Sequence, residues 1–442
     1  MKLFNITPGH DISGEIRVAS DKSITHRALL LSALCTEPTE IISPLLSEDT
    51  YATINAVRAC GIEITQEEGK ELVVKGGVLS APNGTIDCGN SGTLIRLFCG
   101  IAVGRNLSCK LVGDASLMQR PMKRITEPLQ EMGAVINSEK GKPPIVLGER
   151  SEALRGIMHS NIVNSAQVKT SLLLAGLYAE GNTIIAEPIP SRDHGELMLI
   201  EFGAKLSRSK DGRIVQINSG ELTSPGNIAV PADISSAVFF IVAAAIAPAG
   251  EITLKEVGIN SSRTGALDIL LQMGADIDIL NRRTMGNEPV ADICVRSSQL
   301  HGIKIGAEMI PSAIDDIPAL LIAAAAARGE THITGAGELR HKESDRISSM
   351  VTGLQELGIN CTELPDGVIV QGKNSGKPIF NSGTVNSEGD HRIAMAFAMA
   401  SVRAKGNITI SDTANVNTSF PNFTKLSNSV GIRIVEESDD DA

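Results

Sequence analysis

Aromatic side chains are scarce in this chain of 442 residues, which has no tryptophan, two tyrosines and nine phenylalanines. Proteins that bind single-stranded nucleic acid stack bases on aromatic rings, so this class is disfavoured. The net charge of −11 also argues against the general basic surface of a nucleic-acid-binding protein. The hydrophobic cores must be aliphatic, and a hydrophobic content of 42% is enough to form them.

The sequence also lacks patterned cysteines and long hydrophobic runs. Seven cysteines are scattered without a C-x-x-C pair, which favours reduced thiols over a disulfide framework or a zinc site. The N-terminus has no apolar segment typical of a signal peptide. The longest apolar stretch, 237–249, is too short to span a membrane and contains Pro248. We therefore expect a cytoplasmic protein that does not bind membranes.

Several motifs that mark common enzyme classes are missing. There is no G-x-x-x-x-G-K-[ST] segment, no G-x-G-x-x-G after a strand and no G-x-S-x-G. The histidines, cysteines and carboxylates do not have metal-ligand spacing, so we expect neither a metal nor a cofactor. These absences leave acid–base catalysis without a metal as the expected chemistry. The candidate acids and bases are Asp315, Glu343, His391 and lysines.

What the sequence does contain is a repeat. An apolar helix end, a glycine and a short apolar strand recur six times, because glycine after a helix readily adopts a positive φ. Each repeat also holds an earlier helix that is apolar nearly all round and should be buried. The second helix is apolar on one side only and should lie partly exposed. The marker glycines are Gly61, Gly133, Gly203, Gly274, Gly358 and Gly431.

Six repeats in a chain of this length predict two domains of three repeats each. The division falls near 224–235, which is rich in glycine and proline. The polar stretch 281–292 is interpreted as a loop insertion, and the acidic end 436–442 as a disordered tail.

Cations stand at the starts of many of these helices, where they oppose the helix dipole. N-capping explains the neighbouring serines, asparagines and aspartates but not the cations. Helix N-termini that converge on a cleft between the domains would form an anion site, in which the cations face a multiply charged ligand. The alternative is a set of solvated helix caps with local ion pairs. The cations are Lys22, Arg27, Arg120, Lys169, Arg192, Lys342, Arg346, His391 and Arg392.

Seven motifs in order resemble the 5-enolpyruvylshikimate-3-phosphate synthase family. They are "DKSITHRALLLSAL", "GNSGTLIRL", "QRPMKRITEPL", "NSAQVKTSLLLAGL", "PSRDH", "RHKESDRI" and "GDHRIAMAF". The resemblance implies an α/β (α+β) fold, a two-domain inside-out α/β barrel built from six βαβαββ repeats. It also implies transfer of the enolpyruvyl group of phosphoenolpyruvate to the 5-hydroxyl of shikimate 3-phosphate, with release of phosphate, by addition and elimination through a tetrahedral intermediate.

The resemblance also implies domain bounds and binding residues. Residues 1–20 and 234–435 would form one domain and 21–233 the other. Shikimate 3-phosphate would contact Lys22, Ser23, Arg27, Ser165, Ala166, Gln167, Arg192, Asp315 and Lys342. Phosphoenolpyruvate would contact Lys22, Asn90, Gly92, Arg120, Gln167, Arg346 and Arg392.

The catalytic residues implied are Asp315, Glu343, Lys22 and Lys342. Asp315 would accept the 5-hydroxyl proton, Lys342 would help to position that hydroxyl, and Lys22 would contact both substrates. Glu343 would protonate the methylene carbon and then remove a proton during elimination. The family default is a monomer.

The chain departs from the family at two positions. Thr418 stands where many members have a lysine before "TFP", and Arg192 occupies a segment where many carry a tyrosine. These departures resemble those of a subgroup that has glyphosate-tolerant members. Gly92, however, keeps the small residue that leaves room for this inhibitor, so the sequence does not decide whether the protein is sensitive to glyphosate. The alternatives are the sister enzyme that uses UDP-N-acetylglucosamine and a non-catalytic protein that binds a phosphorylated metabolite.

Overall fold

The computed structural model describes residues 2–9, 11–66, 71–373 and 377–438. The strands are β1 (Lys2–Thr7), β2 (Asp11–Ile16), β3 (Thr39–Ile42), β4 (Glu63–Gln66), β5 (Leu72–Lys75), β6 (Thr85–Asp87), β7 (Cys109–Val112), β8 (Val135–Glu139), β9 (Lys142–Gly148), β10 (Met158–Ser160), β11 (Asn182–Ala186), β12 (Leu206–Arg208), β13 (Ile214–Asn218), β14 (Asn227–Ala229), β15 (Ala249–Gly258), β16 (Asp276–Met285), β17 (Glu288–Arg296), β18 (Lys304–Ile305), β19 (Arg328–Ile333), β20 (Cys361–Leu364), β21 (Gly367–Lys373), β22 (Gly383–Asn386), β23 (Ile408–Ser411) and β24 (Arg433–Ser438).

The α-helices are α1 (Lys22–Ala33), α2 (Glu48–Ala59), α3 (Gly92–Gly104), α4 (Lys123–Glu131), α5 (Ala166–Gly176), α6 (His194–Glu201), α7 (Ile234–Ile246), α8 (Gly265–Gln272), α9 (Ile310–Ala313), α10 (Ile317–Ala326), α11 (Arg346–Glu356), α12 (His391–Ala400) and α13 (Phe423–Ser429). In the described part of the chain, none of them has both the length and the apolar character needed to cross a membrane.

The strands form six four-stranded sheets that share one pattern. In the sheet β6-β7-β9-β8, β6 runs parallel to β7, while β9 is antiparallel to both of its neighbours. The six marker glycines all have positive φ, from 77° to 103°, which confirms the repeat predicted from the sequence. The other sheets have the orders β14-β3-β5-β4, β10-β11-β13-β12, β16-β17-β15-β2, β18-β19-β21-β20 and β22-β23-β1-β24.

The first helix of each repeat lies in the aliphatic core, as its uniformly apolar sequence predicts. All 13 residues of α7 are buried. Helices α3 and α5, which are both first helices of a repeat, approach so closely that a Cβ on Gly100 would lie 2.1 Å from the carbonyl oxygen of Ser171. Glycine is therefore required where α3 and α5 cross.

The chain divides into two compact units. The described residues of Met1–Ala19, Pro231–Thr284 and Pro289–Ala442 form the first unit. Ser20–Val230 and Met285–Glu288 form the second unit. The domain boundaries expected from the sequence, at 20–21 and 233–234, lie one and three residues after those of the structure, at 19–20 and 230–231. The grouping of 285–288 with the second unit was not predicted.

Two sequence-based expectations about local structure are wrong. The stretch 281–292 is not a loop, because β16 and β17 are neighbouring strands of one sheet and only a short turn separates them. Residues 436–438 belong to β24 and pair with β1, with Phe4 opposite Glu436. Strand pairing depends on the neighbouring strand as well as composition, so an acidic segment can complete a sheet. Residues 439–442 of the expected tail lie outside the described residues.

Candidate active site

In the second unit, helix α1 begins at a cluster of charged side chains. The carboxylate of Asp21 caps the helix by accepting a hydrogen bond from the backbone N–H of Ile24 at 2.8 Å. Lys22 Nζ lies 2.9 Å from Asp49 Oδ2 and remains about a quarter exposed, at 27% of its side chain. The capping carboxylate and the partly exposed ammonium group therefore lie in adjacent positions.

Arg27, one turn further along α1, is buried. Its guanidinium donates to the carbonyl oxygen of Ser23 at 2.9 Å and to Thr170 Oγ1 at 3.3 Å. Burial lowers the pKa of Arg27 to about 10, although the carboxylates of Asp21 and Glu196 oppose that shift. The side chain thus connects the first turns of α1 and α5.

Helix α3 begins beside a second guanidinium group. Asn90 accepts a hydrogen bond from Arg120 Nη2 at 2.6 Å and donates to Asp114 Oδ2 at 2.6 Å. A Cβ on Gly92 would lie 2.9 Å from Arg96 Nη1 and 3.0 Å from Arg120 Nη1. The space at Gly92 is therefore bounded by two cationic side chains.

If Gly92 lies at the phosphoenolpyruvate site, as the family resemblance implies, replacing it with alanine is expected to raise the KM for that compound about tenfold, with kcat changed less than about threefold. The methyl group would displace the flexible ends of Arg96 and Arg120, and the family resemblance assigns Arg120 to this substrate. Steady-state kinetics with each substrate varied would measure the effect. The matched control is Gly77→Ala, because a Cβ at Gly77 meets nothing within 4 Å. A KM equal to that of the control would contradict the prediction.

Ser165, Ala166 and Gln167 lie at the start of α5. Gln167 accepts a hydrogen bond from Arg96 Nη1 at 2.6 Å and donates to Thr93 Oγ1 at 3.0 Å. The structure therefore brings the starts of α3 and α5 together through the Gln167 amide. The sequence pattern did not identify Arg96, which lies one turn inside the helix rather than at its start.

The interpretation of Lys169 as an anion-binding cation is wrong. Its ammonium group is buried and lies 2.8 Å from Glu187 Oε2 and 2.8 Å from Glu196 Oε1. Two carboxylates within the second unit thus balance its charge. Arg192, in contrast, is partly exposed just before α6, as an anion-binding role requires.

His26 is a buried histidine that the sequence analysis did not single out. Its ring lies 2.7 Å from Thr53 Oγ1 and 3.4 Å from Ser91 Oγ, so it links α1 to α2 and to the cap of α3. Burial lowers its pKa from 6.5 to about 3, and Lys22 and Arg27 act in the same direction against Asp49. The ring is therefore neutral in the folded protein.

This lowered pKa predicts a pH-dependent stability. As the pH falls from 6.5 towards 3, the unfolded chain binds a proton at His26 that the folded protein does not, so folding stability declines. Relative to His26→Asn, the unfolding free energy of the wild type is expected to fall by roughly 2.7 kcal/mol between about pH 7 and about pH 4.5. Urea unfolding of both proteins would test this, and a pH-independent difference would contradict it.

In the first unit, Asp315 and two cations form the centre of another cluster. Asp315 Oδ1 lies 3.5 Å from Lys342 Nζ and 3.5 Å from Arg346 Nη1. Its side chain is 17% exposed, and that of Lys342 is 25% exposed. A carboxylate that is accessible and has cationic neighbours can accept a proton from a bound hydroxyl group.

Arg346, the first residue of α11, joins this carboxylate to Glu343. Its Nη2 lies 2.7 Å from Glu343 Oε2, and its Nε lies 2.7 Å from Asp390 Oδ2. Burial by itself would lower the pKa of Arg346, but Asp390, Glu343 and Asp315 raise it above its ordinary value. Glu343 is 30% exposed and borders a cavity of about 610 Å³.

Arg392, near the start of α12, completes the first-unit cluster. Its Nη1 donates to the backbone oxygen of Asp315 at 2.8 Å and lies 3.5 Å from Asp316 Oδ1. Asp390 caps α12 by accepting from the backbone N–H of Arg392 at 2.9 Å. The structure thus brings together Asp315, Lys342, Glu343, Arg346 and Arg392.

Arg340, from the same charged segment, has a local structural role. Its guanidinium pairs with Asp345 at 2.7 Å and with Glu363 at 2.8 Å. Asp345 in turn caps α11, accepting a hydrogen bond from the backbone N–H of Ser348 at 3.1 Å. The alternative of a solvated helix start with local ion pairs therefore holds for Arg340, whereas Arg346 is buried and also pairs with the distant Asp390.

Comparison with known proteins identifies the family. The model of the family described as EPSP synthase (3-phosphoshikimate 1-carboxyvinyltransferase) matches residues 6–426. The chain belongs to the EPSP synthase family. It is therefore a transferase of the shikimate pathway, and the function predicted from the sequence is confirmed.

Similar relatives carry the same name. A 3-phosphoshikimate 1-carboxyvinyltransferase of Methylococcus capsulatus is 49% identical over 436 residues, which cover 98% of each chain. That of Alkalilimnicola ehrlichii is 48% identical over 434 residues, covering 98% of this chain and 96% of the relative. A solved EPSP synthase from Acinetobacter baumannii aligns with a TM-score of 0.90 and 44% identity over 99% of this chain and 100% of that one. The structural match confirms the predicted fold class.

The position at which many EPSP synthases have a lysine is occupied here by Thr418. This residue ends the 3₁₀ helix Ala414–Thr418, and its hydroxyl donates to the backbone oxygen of Asn415 at 2.7 Å. The threonine side chain therefore bonds within its own turn and supplies no positive charge.

Proposed function

We propose that Asp315 is the base and Glu343 the acid of the enolpyruvyl transfer. The observation that carries this proposal is their link through one guanidinium group. Arg346 Nη1 lies 3.5 Å from Asp315 Oδ1, and Arg346 Nη2 lies 2.7 Å from Glu343 Oε2. A base for the hydroxyl group and an acid for the carbon are thus held on two nitrogens of the same side chain.

The proposed reaction has two steps. In the addition, Asp315 takes the proton of the 5-hydroxyl, the oxygen bonds to C2 of phosphoenolpyruvate, and Glu343 delivers a proton to C3. In the elimination, Glu343 removes a proton from the resulting methyl group while the C2–O bond to phosphate breaks, and the proton held by Asp315 leaves with the released phosphate. Lys342, 3.5 Å from Asp315, would position the hydroxyl group for the first transfer.

The remaining helix-start residues are proposed to bind the substrates' negative charges. Side chains at the starts of α1, α5 and α6 suit a phosphate group, because cations and backbone N–H groups favour anions there. Shikimate 3-phosphate would contact Lys22, Ser23, Arg27, Ser165, Ala166, Gln167 and Arg192. Phosphoenolpyruvate would contact Lys22, Asn90, Gly92, Arg120, Gln167, Arg346 and Arg392.

The pairing of Glu343 with Arg346 offers a way to control its proton. A hydrogen bond from a guanidinium favours the carboxylate form over the acid form. We infer that the anionic substrate competes for Arg346 Nη2 and so allows Glu343 to take up the proton it must deliver. The acid form is then produced when phosphoenolpyruvate is bound.

We also propose that the enzyme is a cytoplasmic monomer that binds these small anionic molecules and neither nucleic acid nor membranes. Its net charge of −11 supports the absence of a nucleic-acid partner. Its seven cysteines are all free and buried, an arrangement that a reducing compartment maintains.

A phosphate-release assay tests the acceptor directly. The protein is mixed with phosphoenolpyruvate and either shikimate 3-phosphate or UDP-N-acetylglucosamine, and inorganic phosphate is measured. Release with shikimate 3-phosphate alone supports the proposal. Release with the UDP-sugar alone favours the sister reaction, and binding of both substrates by folded protein without any release favours a non-catalytic binding protein.

A further inference from the structure

A buried carboxylate lies next to the proposed base in the first unit. Asp316 follows Asp315, and its side chain is only 1% exposed. It is the residue before α10, yet its side chain makes no capping hydrogen bond to that helix. Helix capping, the usual reason for aspartate at this position, therefore does not explain it.

Asp316 instead faces the guanidinium group of Arg392, at an ion-pair distance of 3.5 Å from Nη1. The same Nη1 donates to the backbone oxygen of Asp315. The other two nitrogens of Arg392, Nε and Nη2, form no hydrogen bond with the described residues. One nitrogen of the planar group is thus held by the protein, and the other two can bind a carboxylate or phosphate.

A buried arginine, Arg263, also favours the charged form of Asp316. Arg263 Nη2 donates to Ser235 Oγ at 2.8 Å and to Asp233 Oδ1 at 3.0 Å. Burial raises the pKa of Asp316, whereas Arg392, Arg263 and a hydrogen bond with Ser235 favour its carboxylate form. Burying a carboxylate is costly unless such partners surround it, so this group of side chains is organised around the charge of Asp316.

We infer that Asp316 is a positioning residue for phosphoenolpyruvate, acting by orienting the guanidinium group of Arg392. This inference rests on the proposed assignment of Arg392 to that substrate. Asp316 would not contact the substrate itself, because its side chain is only 1% exposed, whereas that of Arg392 is 14% exposed. A purely structural carboxylate would affect folding stability but would leave the affinities for the two substrates in their original ratio.

The test is a double-mutant cycle of Asp316→Asn and Arg392→Gln. Asp316→Asn is expected to raise the KM for phosphoenolpyruvate about tenfold, while kcat and the KM for shikimate 3-phosphate change less than about threefold. Arg392→Gln should raise the same KM at least as much. The double variant should resemble Arg392→Gln, because a residue that acts through Arg392 has no further effect once Arg392 is gone.

Asp292→Asn is the matched control. Asp292 is also a buried carboxylate of the first unit, and it accepts hydrogen bonds from Asn281 and the backbone N–H of Glu256. This variant should lose stability and keep the wild-type KM for phosphoenolpyruvate. An Asp316→Asn variant that behaves in the same way, or additive effects in the double variant, would overturn the inference.

Two further results separate the possible failures. If Arg392→Gln leaves the KM for phosphoenolpyruvate unchanged, the assignment of Arg392 is wrong, and the inference falls with it. If Asp316→Asn does not fold, Ser235→Ala replaces it, since this change removes a hydrogen bond from Asp316 but keeps the charge. A rise of about twofold or more in that KM supports the inference, and no rise contradicts it.

Discussion

Replacing Glu343 with glutamine is expected to lower kcat about 10²- to 10⁴-fold, the range typical of a lost general acid. The dissociation constants of both substrates should change less than about threefold, because the amide keeps the size of the side chain. The substitution also removes the negative charge of Glu343, which lies 2.7 Å from Arg346, so anion binding should not weaken. Stopped-flow phosphate release and equilibrium titration would measure these two effects.

Glu356→Gln is the matched control for this variant. Glu356 ends the same helix, α11, and borders the same cavity, but it lies three turns from Arg346 and is exposed. Its kcat should stay within about twofold of the wild type. A Glu343→Gln enzyme with a kcat as high as that of the control would exclude Glu343 as the proton donor.

Replacing Asp315 with asparagine is expected to lower kcat by a similar factor, about 10²- to 10⁴-fold. An amide cannot accept the hydroxyl proton at the position that Asp315 holds 3.5 Å from Lys342 and Arg346. Removing this carboxylate makes the cluster more positive, so the KM values of both anionic substrates should stay the same or fall. Steady-state kinetics would show a loss confined to turnover.

The control for this second variant is Asp276→Asn, which removes an exposed carboxylate that pairs with Arg296 on the same unit. It should retain wild-type kinetics, because surface ion pairs contribute little. If Asp315→Asn instead raised both KM values with kcat unchanged, Asp315 would be a binding residue and another group would be the base.

The repeat could be predicted from the sequence because its signals are local. A glycine after a helix end, such as Gly61 or Gly358, needs only its own backbone conformation to be recognised. The uniformly apolar sequence of α7 likewise identifies a buried helix. Residues 436–438 were misjudged because the partner strand, β1, lies at the opposite end of the chain.

The cations at helix starts show what the local sequence pattern could not predict. Lys169 and Arg346 are both cations in the first turn of a helix, yet the charge of Lys169 is balanced by Glu187 and Glu196 in the core. Arg346 instead pairs with Asp315 and Glu343, both partly exposed. Apart from Glu343, these partners lie at least 18 residues away, so the pattern identifies a cation without indicating whether it faces a ligand or a buried carboxylate.

Asp316 and His26 could not be identified from the sequence for the same reason. Each is buried and acts on a neighbouring side chain, Arg392 or Thr53, that is distant in the sequence. The family resemblance assigned residues that would touch the substrates, whereas Asp316 and His26 became apparent only from the packing.

Deuterium incorporation during turnover in D₂O tests the proton transfer at the centre of this account most directly. If Glu343 delivers a solvent-derived proton to C3, the methyl group formed in the addition carries deuterium, and the product retains label in its enolpyruvyl methylene group. Mass spectrometry should find this label with the wild type and with Glu356→Gln. Under the same conditions, Glu343→Gln should label the methylene group about 10²- to 10⁴-fold more slowly. Labelling by Glu343→Gln at the wild-type rate would contradict the account.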